Sequence, residues 1–353
     1  SALVALTLAL GIGGSTAIFS VLKGVVLREL PYPEPERLVA VWERQGDGES
    51  ISHQPFSGPD YLDVRERSST LDDLGVLTSR WFNLAGDGVP VRLPGARCTA
   101  SLFQVLGVPP LHGRLFLEEE ETDGNHHVVI LSHGLWQRQF GRETDAIGRK
   151  VPVDGVPHEI IGVMPADFEF PTPWGGRDTT QIWAPLVLPR DGSSRGWHSF
   201  GGVGRLADGV TTAEVPDELE GIAAQLAAAD PDTNAHTGIW IEPMMERTLG
   251  GVQKTMSFLL IVVSLVLLIA CANIASMLLA RGAQRTPEIA IRSSVGADRS
   301  RLLRQLLTES LIQSAIGGIA GLALATWAVD VLVAVLPSSV PRASGIGIDI
   351  QVL

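Results

Sequence analysis

Between Lys254 and Arg281 the chain runs for 26 residues without a charge, TMSFLLIVVSLVLLIACANIASMLLA. A helix over that run is about 39 Å long at 1.5 Å per residue, which exceeds the roughly 30 Å hydrocarbon layer of a bilayer. Such a stretch is expected to cross a membrane. Two further runs have the same character: SLIQSAIGGIAGLALATWAV, between Glu309 and Asp330, and residues 1–22, uncharged up to Lys23. A secretory signal is the rival reading of the latter, but no basic segment precedes it, and Gly11, Gly13 and Gly14 interrupt its apolar core. The sequence does not begin with Met and stops without a polar tail, so both ends read as cuts through a longer protein.

Charge decides orientation. The net charge is -12, yet residues 28–254 carry 19 basic and 34 acidic groups, a balance of -15 that leaves +3 elsewhere. An acidic body of this kind excludes nucleic acid as a partner. The short loop after the second span holds Arg281, Arg285, Arg292, Arg299, Arg301 and Arg304 against Glu288 and Asp298, which places it in the cytoplasm by the positive-inside rule. Residues 28–254 then lie outside. Cys98 in that outer region and Cys271 within a span sit in different solvents, so no disulfide framework is expected.

The outer region reads as α+β. LVAVWER (38–44) and HVVILS (127–132) are strand-like; Ser132 can cap a helix HGLWQRQF; and Asp154-Gly155, between two β-rich runs in 150–164, signals a hairpin. Leu219, Ile222, Ala223 and Leu226 recur at helical spacing within 211–229, and GIWIEPM returns to strand character. Polar, Gly- and Pro-rich residues at 171–180 and 189–202 read as surface loops. The expected fold class is a membrane protein, transmembrane α-helices with an inserted α+β periplasmic domain whose length suits two subdomains. Its division is 1–27, first transmembrane helix; 28–254, periplasmic domain; 255–280, transmembrane; 281–305, cytoplasmic loop; 306–336, transmembrane; and 337–353, periplasmic.

Catalytic signatures fail on context. A P-loop needs Gly-Lys, and Lys23, Lys150 and Lys254 follow Leu, Arg and Gln, so ATP hydrolysis is expected from a partner. Gly192-Ser193-Ser194-Arg195-Gly196 fits a nucleophile elbow but lies in a polar stretch, and Gly202 to Ala207 imitates a dinucleotide fingerprint with no helix after it. In a strand, adjacent His126 and His127 would face opposite sides with no third ligand at metal spacing, and Glu118–Glu121 reads as a solvated loop. No catalytic group, cofactor or metal is expected. Gly317 and Gly321 form a G-x-x-x-G pair suited to close helix packing.

The cytoplasmic loop carries the most information. Thr286 can cap a short helix with Pro287 at its first position and Glu288 in its first turn; Gly296 can end it, and Ala297 follows in the bend. Asp298 can cap a second helix, with Leu302, Leu303, Leu306 and Leu307 on one face and Arg299, Arg301 and Arg304 toward water or lipid phosphates. Membrane re-entry explains that elbow but not the extra capped turn before Gly296. The turn is free to dock a soluble partner through Glu288, Ile291 and Arg292.

EIAIRSSVGADRSRLLRQLLTES resembles the cytoplasmic-loop signature of FtsX-like permeases. LALGIGGSTAIFSVLKGVVLRELPYPEPERLV resembles the first span of MacB-like permeases, especially the acidobacterial-type duplicated ones without a fused ATPase. PDYLDVRERSSTLDDLG, VRLPGARCTASLFQVLGVPPLHGRLF, VVILSHGLWQRQFG, IIGVMPADFEFP and VGRLADGVT are similar to successive blocks of the MacB-type periplasmic domain. Pro216 departs from the pattern, so the helix there is expected to begin later. The resemblance implies an inner-membrane ABC-transporter permease. Its partners would be an ATP-binding subunit, a second permease unit (homodimer or duplicated half) and membrane lipid, with ATP-driven motion passed to the periplasmic domain. A membrane-anchored sensor or scaffold without transport is the alternative.

Overall fold

The computed structural model describes residues 30–46, 52–85, 90–171, 180–189 and 194–247, with helical residues within 7–16, 258–283 and 299–335. The chain forms two compact units, Glu29–Thr248 and a helical unit of Ser1–Arg28 with Leu249–Leu353.

In the first unit, β1 (Leu38–Gln45), β2 (Ser52–Gln54), β3 (Phe56–Ser57), β4 (Leu71–Leu84), β5 (Val91–Cys98) and β6 (His112–Gly113) join β7 (Val128–Leu131), β8 (Lys150–Val153), β9 (Val156–Val163), β10 (Ile182–Pro185), β11 (His198–Leu206) and β12 (Thr237–Pro243) in one 12-stranded sheet. The order is β12-β1-β11-β4-β5-β10-β7-β9-β6, with β2 beside β1, β3 beside β11, and β8 between β4 and β9. β10 runs parallel to β5 and β7 parallel to β9, and the other strand pairs among the described residues are antiparallel.

The first six residues of β1 are all buried, as in a sheet covered on both faces. Leu38, Ala40 and Trp42 enter one core and Val39 and Val41 the opposite one, following the two-residue period of a strand. The first core is continuous from Leu38 through Phe103 and Trp183 to Ile161 on β9. The opposite face divides. Tyr61, Leu74 and Leu219 form one patch under α1 (Gly58–Arg67) and the later helix Val215–Ala229; Phe82, Leu135 and Ile182 form the other under the helix His133–Phe140.

The two expected subdomains are therefore two patches on one sheet rather than two folding bodies. The reason is β4, whose 14 residues extend about 46 Å. It pairs with β11 through Leu71–Leu77 and with β5 through Leu77–Leu84. Over β4 lies α2 (Ala100–Leu106), ended by Gly107 at φ 68°, the left-handed geometry glycine tolerates.

Local signals appear where the sequence placed them. Ser132 caps α3 (His133–Phe140) by accepting from the Leu135 amide at 3.2 Å. Asp154 and Gly155 turn the β8–β9 hairpin with φ 51° and 82°. Pro216 falls in the first turn of α4 (Val215–Ala229), where its missing N–H costs no helical bond. The loop expected over 189–202 is corrected at its end, because β11 begins at His198, pairing with β3, and continues along β1 and β4. A short helix, α5 (Pro231–Asn234), follows α4.

In the helical unit, Leu260–Met277 and Ser314–Val331 are long and apolar enough to cross a membrane, with mean hydropathy 2.6 and 1.5. The second belongs to α6 (Arg299–Val335), 37 residues long. The elbow expected between a surface helix and this span is not a break, since α6 is continuous from Arg299. No Gly or Pro lies between Arg299 and Ser314 to interrupt it.

Because the Glu29–Thr248 unit owns its cores, residues 32–250 expressed without the apolar helices are expected to give a soluble domain with one cooperative thermal transition. A product that stays aggregated, or melts without cooperativity, would count against an independent domain.

Candidate functional site

Of the residues assigned to partner docking, Pro287, Glu288, Ile291, Arg292, Gly296 and Ala297 lie outside the described residues, and Arg299 is the first residue of α6. Gly317 and Gly321 are buried along α6, on a stripe continued at four-residue steps by Ala325 and Val329. Gly13 of the N-terminal helical segment meets that stripe: an added Cβ would stand 2.9 Å from the Gly321 carbonyl oxygen and 3.2 Å from Leu324 Cβ. Backbones this close suit helices that associate through small residues.

In the Glu29–Thr248 unit, a polar constellation gathers on Asp60, whose side chain is 3% exposed. α1 starts at Gly58 because Ser57 Oγ accepts the Asp60 amide at 3.2 Å and Pro59 occupies the first turn. That cap aims the Asp60 carboxylate inward, where it accepts from Ser57 Oγ at 2.7 Å, from Asn234 Nδ2 at 2.9 Å and from Arg195 Nη1. Arg195 also pairs with Asp63 through Nη2 at 2.7 Å and approaches Asp230 at 3.4 Å. One guanidinium thus ties the segment before β11 to α1 and to the junction of α4 and α5.

Glu43 of β1 lies next to this group. It accepts from the Ser57 amide at 2.8 Å and stands 2.6 Å from His198 Nδ1. Burial pushes the Glu43 carboxyl up, against the pull of His198 and Ser57, while the hydrogen bond to Glu43 raises His198. A small cavity of about 10 Å³ beside this group is lined mainly by apolar side chains, among them Phe56, Val64 and Leu226, and Asn234 Oδ1 is buried without a hydrogen-bond partner. Asp60, with Arg195, Asn234 and Ser57 around it, forms a buried polar clamp between α1, the segment before β11 and α5.

The acidic run is solvated at Glu118 and Glu119, as its composition suggests, but Glu120 is buried and Glu121 half-buried. Glu118 pairs with Arg65 at 2.8 Å, Glu120 forks onto Arg114 at 2.6 and 3.0 Å, and Glu121 accepts the Ala100 amide at the start of α2. Burial raises the Glu121 carboxyl, partly offset by that amide. Glu218 of α4 gathers the amides of Ser69 and Thr70 at 2.7 and 3.0 Å with both hydroxyls; burial opposes its charge, but these bonds prevail and hold it at about 2. Sequence reading singled out none of Asp60, Glu43, His198 or Glu218. The available signal was Ser57-Gly-Pro-Asp60, a cap followed by an acid in the first turn. Among the described residues, no three His, Cys, Asp or Glu side chains are placed to hold a metal.

An α+β sheet unit, Glu29–Thr248, set within the sequence of a helical unit that carries two helices long and apolar enough to cross a membrane is the arrangement expected of a membrane protein with a large extramembrane domain. The chain belongs to the family of the MacB-like periplasmic core domain, whose model matches residues 1–222, and residues 260–353 match the FtsX-like permease C-terminal model. These are regions of ABC-transporter permeases. The "Macrolide export ATP-binding/permease protein MacB" of Neisseria gonorrhoeae is 25% identical over 287 residues, covering 76% of this chain and 43% of the relative. The "Uncharacterized ABC transporter permease YknZ" of Bacillus subtilis is 26% identical over 216 residues, 60% of this chain and 51% of that protein. This chain thus spans about half or less of these curated relatives. The crystallised periplasmic region of MacB from Actinobacillus actinomycetemcomitans aligns with TM-score 0.43 and 15% identity, over 68% of this chain and 97% of that one.

Proposed function

We propose that the chain is the permease part of an ABC transporter, passing motion driven by an ATP-binding partner across the inner membrane to its periplasmic domain, for efflux or for work on a periplasmic partner. The observation that supports this most is the arginine-rich stretch 281–304 between two helices long and apolar enough to span a bilayer, in a chain matching both permease regions. The ATP-binding subunit docks on the turn Pro287–Gly296 through Glu288, Ile291 and Arg292, with Gly296 and Ala297 making the bend and Arg299 beside it. A second permease unit, as a homodimer or a duplicated half, completes the membrane part in contact with lipid. The Gly13–Gly321 contact lets the first helix and α6 move as one piece.

Removing a charge from a buried, paired interface position costs about 2 to 5 kcal/mol. With Arg292 paired in that interface, Arg292→Glu is expected to weaken co-purification of the ATP-binding subunit strongly, and Gly296→Val to weaken it as well, because a β-branched residue tolerates a left-handed helix end poorly. Arg92→Glu, on the outer domain, serves as the control; Arg195 does not, since it holds the Asp60 clamp. Wild-type pull-down and permease-stimulated ATP turnover in both loop variants would end the docking assignment.

A further inference from the structure

We propose that the periplasmic domain binds a small oxyanion, of the phosphate or carboxylate class, in the seam between its two apolar patches, at Arg97, Arg80 and the histidines His126, His127 and His158. The seam is visible along β4. Val76 belongs to the patch under α1 and α4 and Phe82 to the patch under α3, and Thr78 and Arg80 lie between them on the same face. In register, Thr78 stands opposite Arg97 and Arg80 opposite Gly95, while Ala184 of β10 flanks Arg97 on its other side. Arg97 thus has small cross-strand neighbours, Thr78 and Ala184, and is itself half-buried.

No carboxylate pairs with Arg97 among the described residues, and its Nε is buried without a hydrogen-bond partner. Arg65, Arg114 and Arg195 of the same domain each hold at least one carboxylate, so the unpaired state is local. Burial and the Arg80 charge push the Arg97 guanidinium down, with the Asp154 carboxylate opposing them.

Imidazoles extend the cluster. The sequence placed His126 and His127 on opposite faces of a strand, but β7 starts only at Val128, and their rings lie 4.4 Å apart. His158 of β9 reaches His127 at 5.3 Å, a neighbour 31 positions downstream. Nδ1 of His126 is buried without a hydrogen bond, 3.8 Å from the exposed Asp123, and His158 meets the Val156 carbonyl through Nδ1 at 2.8 Å. Along the order β5-β10-β7-β9, Arg97 shares the face of Leu93 and His158 that of Ile160, both in the patch under α3, so the guanidinium and the imidazoles lie on one side of the sheet. Burial lowers His158, the Val156 carbonyl opposes this, and the charges of His127, His126 and Arg97 add to the lowering.

A half-buried guanidinium with no carboxylate in hydrogen-bond reach lowers stability until something offsets its lost hydration. An oxyanion does so with the shape that fits, since guanidinium presents paired donors to a phosphate or carboxylate and imidazole N–H groups add more. A metal cation is disfavoured by the two arginines and by the lack of convergent ligands among the described residues.

The test is isothermal titration of the full chain in detergent micelles with inorganic phosphate and, separately, citrate, at ionic strength held constant with sodium chloride. The expected result is saturable binding of at least one probe, weakened tenfold or more in Arg97→Gln and in Arg80→Gln and unchanged in Arg92→Gln. Tighter phosphate identifies a tetrahedral oxyanion and tighter citrate a carboxylate. Without added anion, Arg97→Gln is expected to melt at or above the wild-type temperature, because an unpaired buried charge has been removed. The assignment is overturned if neither probe saturates, if binding ignores Arg97→Gln, or if that variant melts below wild type.

Discussion

Gly75→Ala is expected to prevent the periplasmic domain from folding, although it adds a single methyl group. Gly75 lies mid-strand in β4, opposite Val203 of β11, at the point where α2 crosses the sheet. A Cβ there would stand 2.3 Å from Leu102 Cα, 2.5 Å from Leu102 N and 2.7 Å from Leu102 Cβ. Two of these obstacles are backbone and cannot rotate away. Relief requires lifting α2, which carries Leu102, Phe103 and Leu106 into the continuous core and is tied at its start by Thr99 to Val76 and by Glu121 to Ala100. The penalty should exceed the about 1–3 kcal/mol that an extra methylene usually costs in a packed core. Thermal denaturation followed by circular dichroism decides it: a wild-type midpoint for Gly75→Ala would show that α2 can move off the strand at little cost.

The parts of this fold that sequence reading recovered are those fixed within a few residues. The unbroken apolar run of β1, the Ser132 cap, the Asp154-Gly155 turn and the Leu219-to-Leu226 stripe each report their own backbone geometry. The start of β11 escaped because His198, Ser199 and Gly201 are polar or small and lack β-rich character. The two-subdomain expectation came from length alone, which says nothing about a strand long enough to serve both patches. Side-chain clusters were the least legible, because their members meet across the sheet. Asp60 and Arg195 are 135 positions apart, and Glu118 finds Arg65 across 53. A run of four glutamates looks solvated until the arginines that collect it are in place. The clamp therefore became visible only through the topology that brings α1, β11 and α5 together.

That clamp yields the second large effect. Asp60→Ala is expected to lower stability by about 3–5 kcal/mol, the range for removing one member of a buried ion pair. Three donors converge on the carboxylate, from Arg195, Asn234 and Ser57, and all lose an acceptor together. The Asn234 side chain is the worst placed, since its Oδ1 already lacks a protein partner and its residue is 2% exposed. Arg195 is less stranded, because Asp63 remains at 2.7 Å and Asp230 at 3.4 Å. Arg195→Ala should accordingly cost less than Asp60→Ala, while freeing the segment that leads into β11. For a domain of this size each kcal/mol moves the midpoint by about 2–4 °C, so Asp60→Ala should melt roughly 6–20 °C early. A double-mutant cycle then isolates the pair: with Arg195 already absent, Asp60→Ala should cost measurably less than in the wild type. Equal costs in both backgrounds would mean that Asp60 acts through the α1 cap and Asn234 alone, and that Arg195 is held by Asp63 without help from the buried carboxylate.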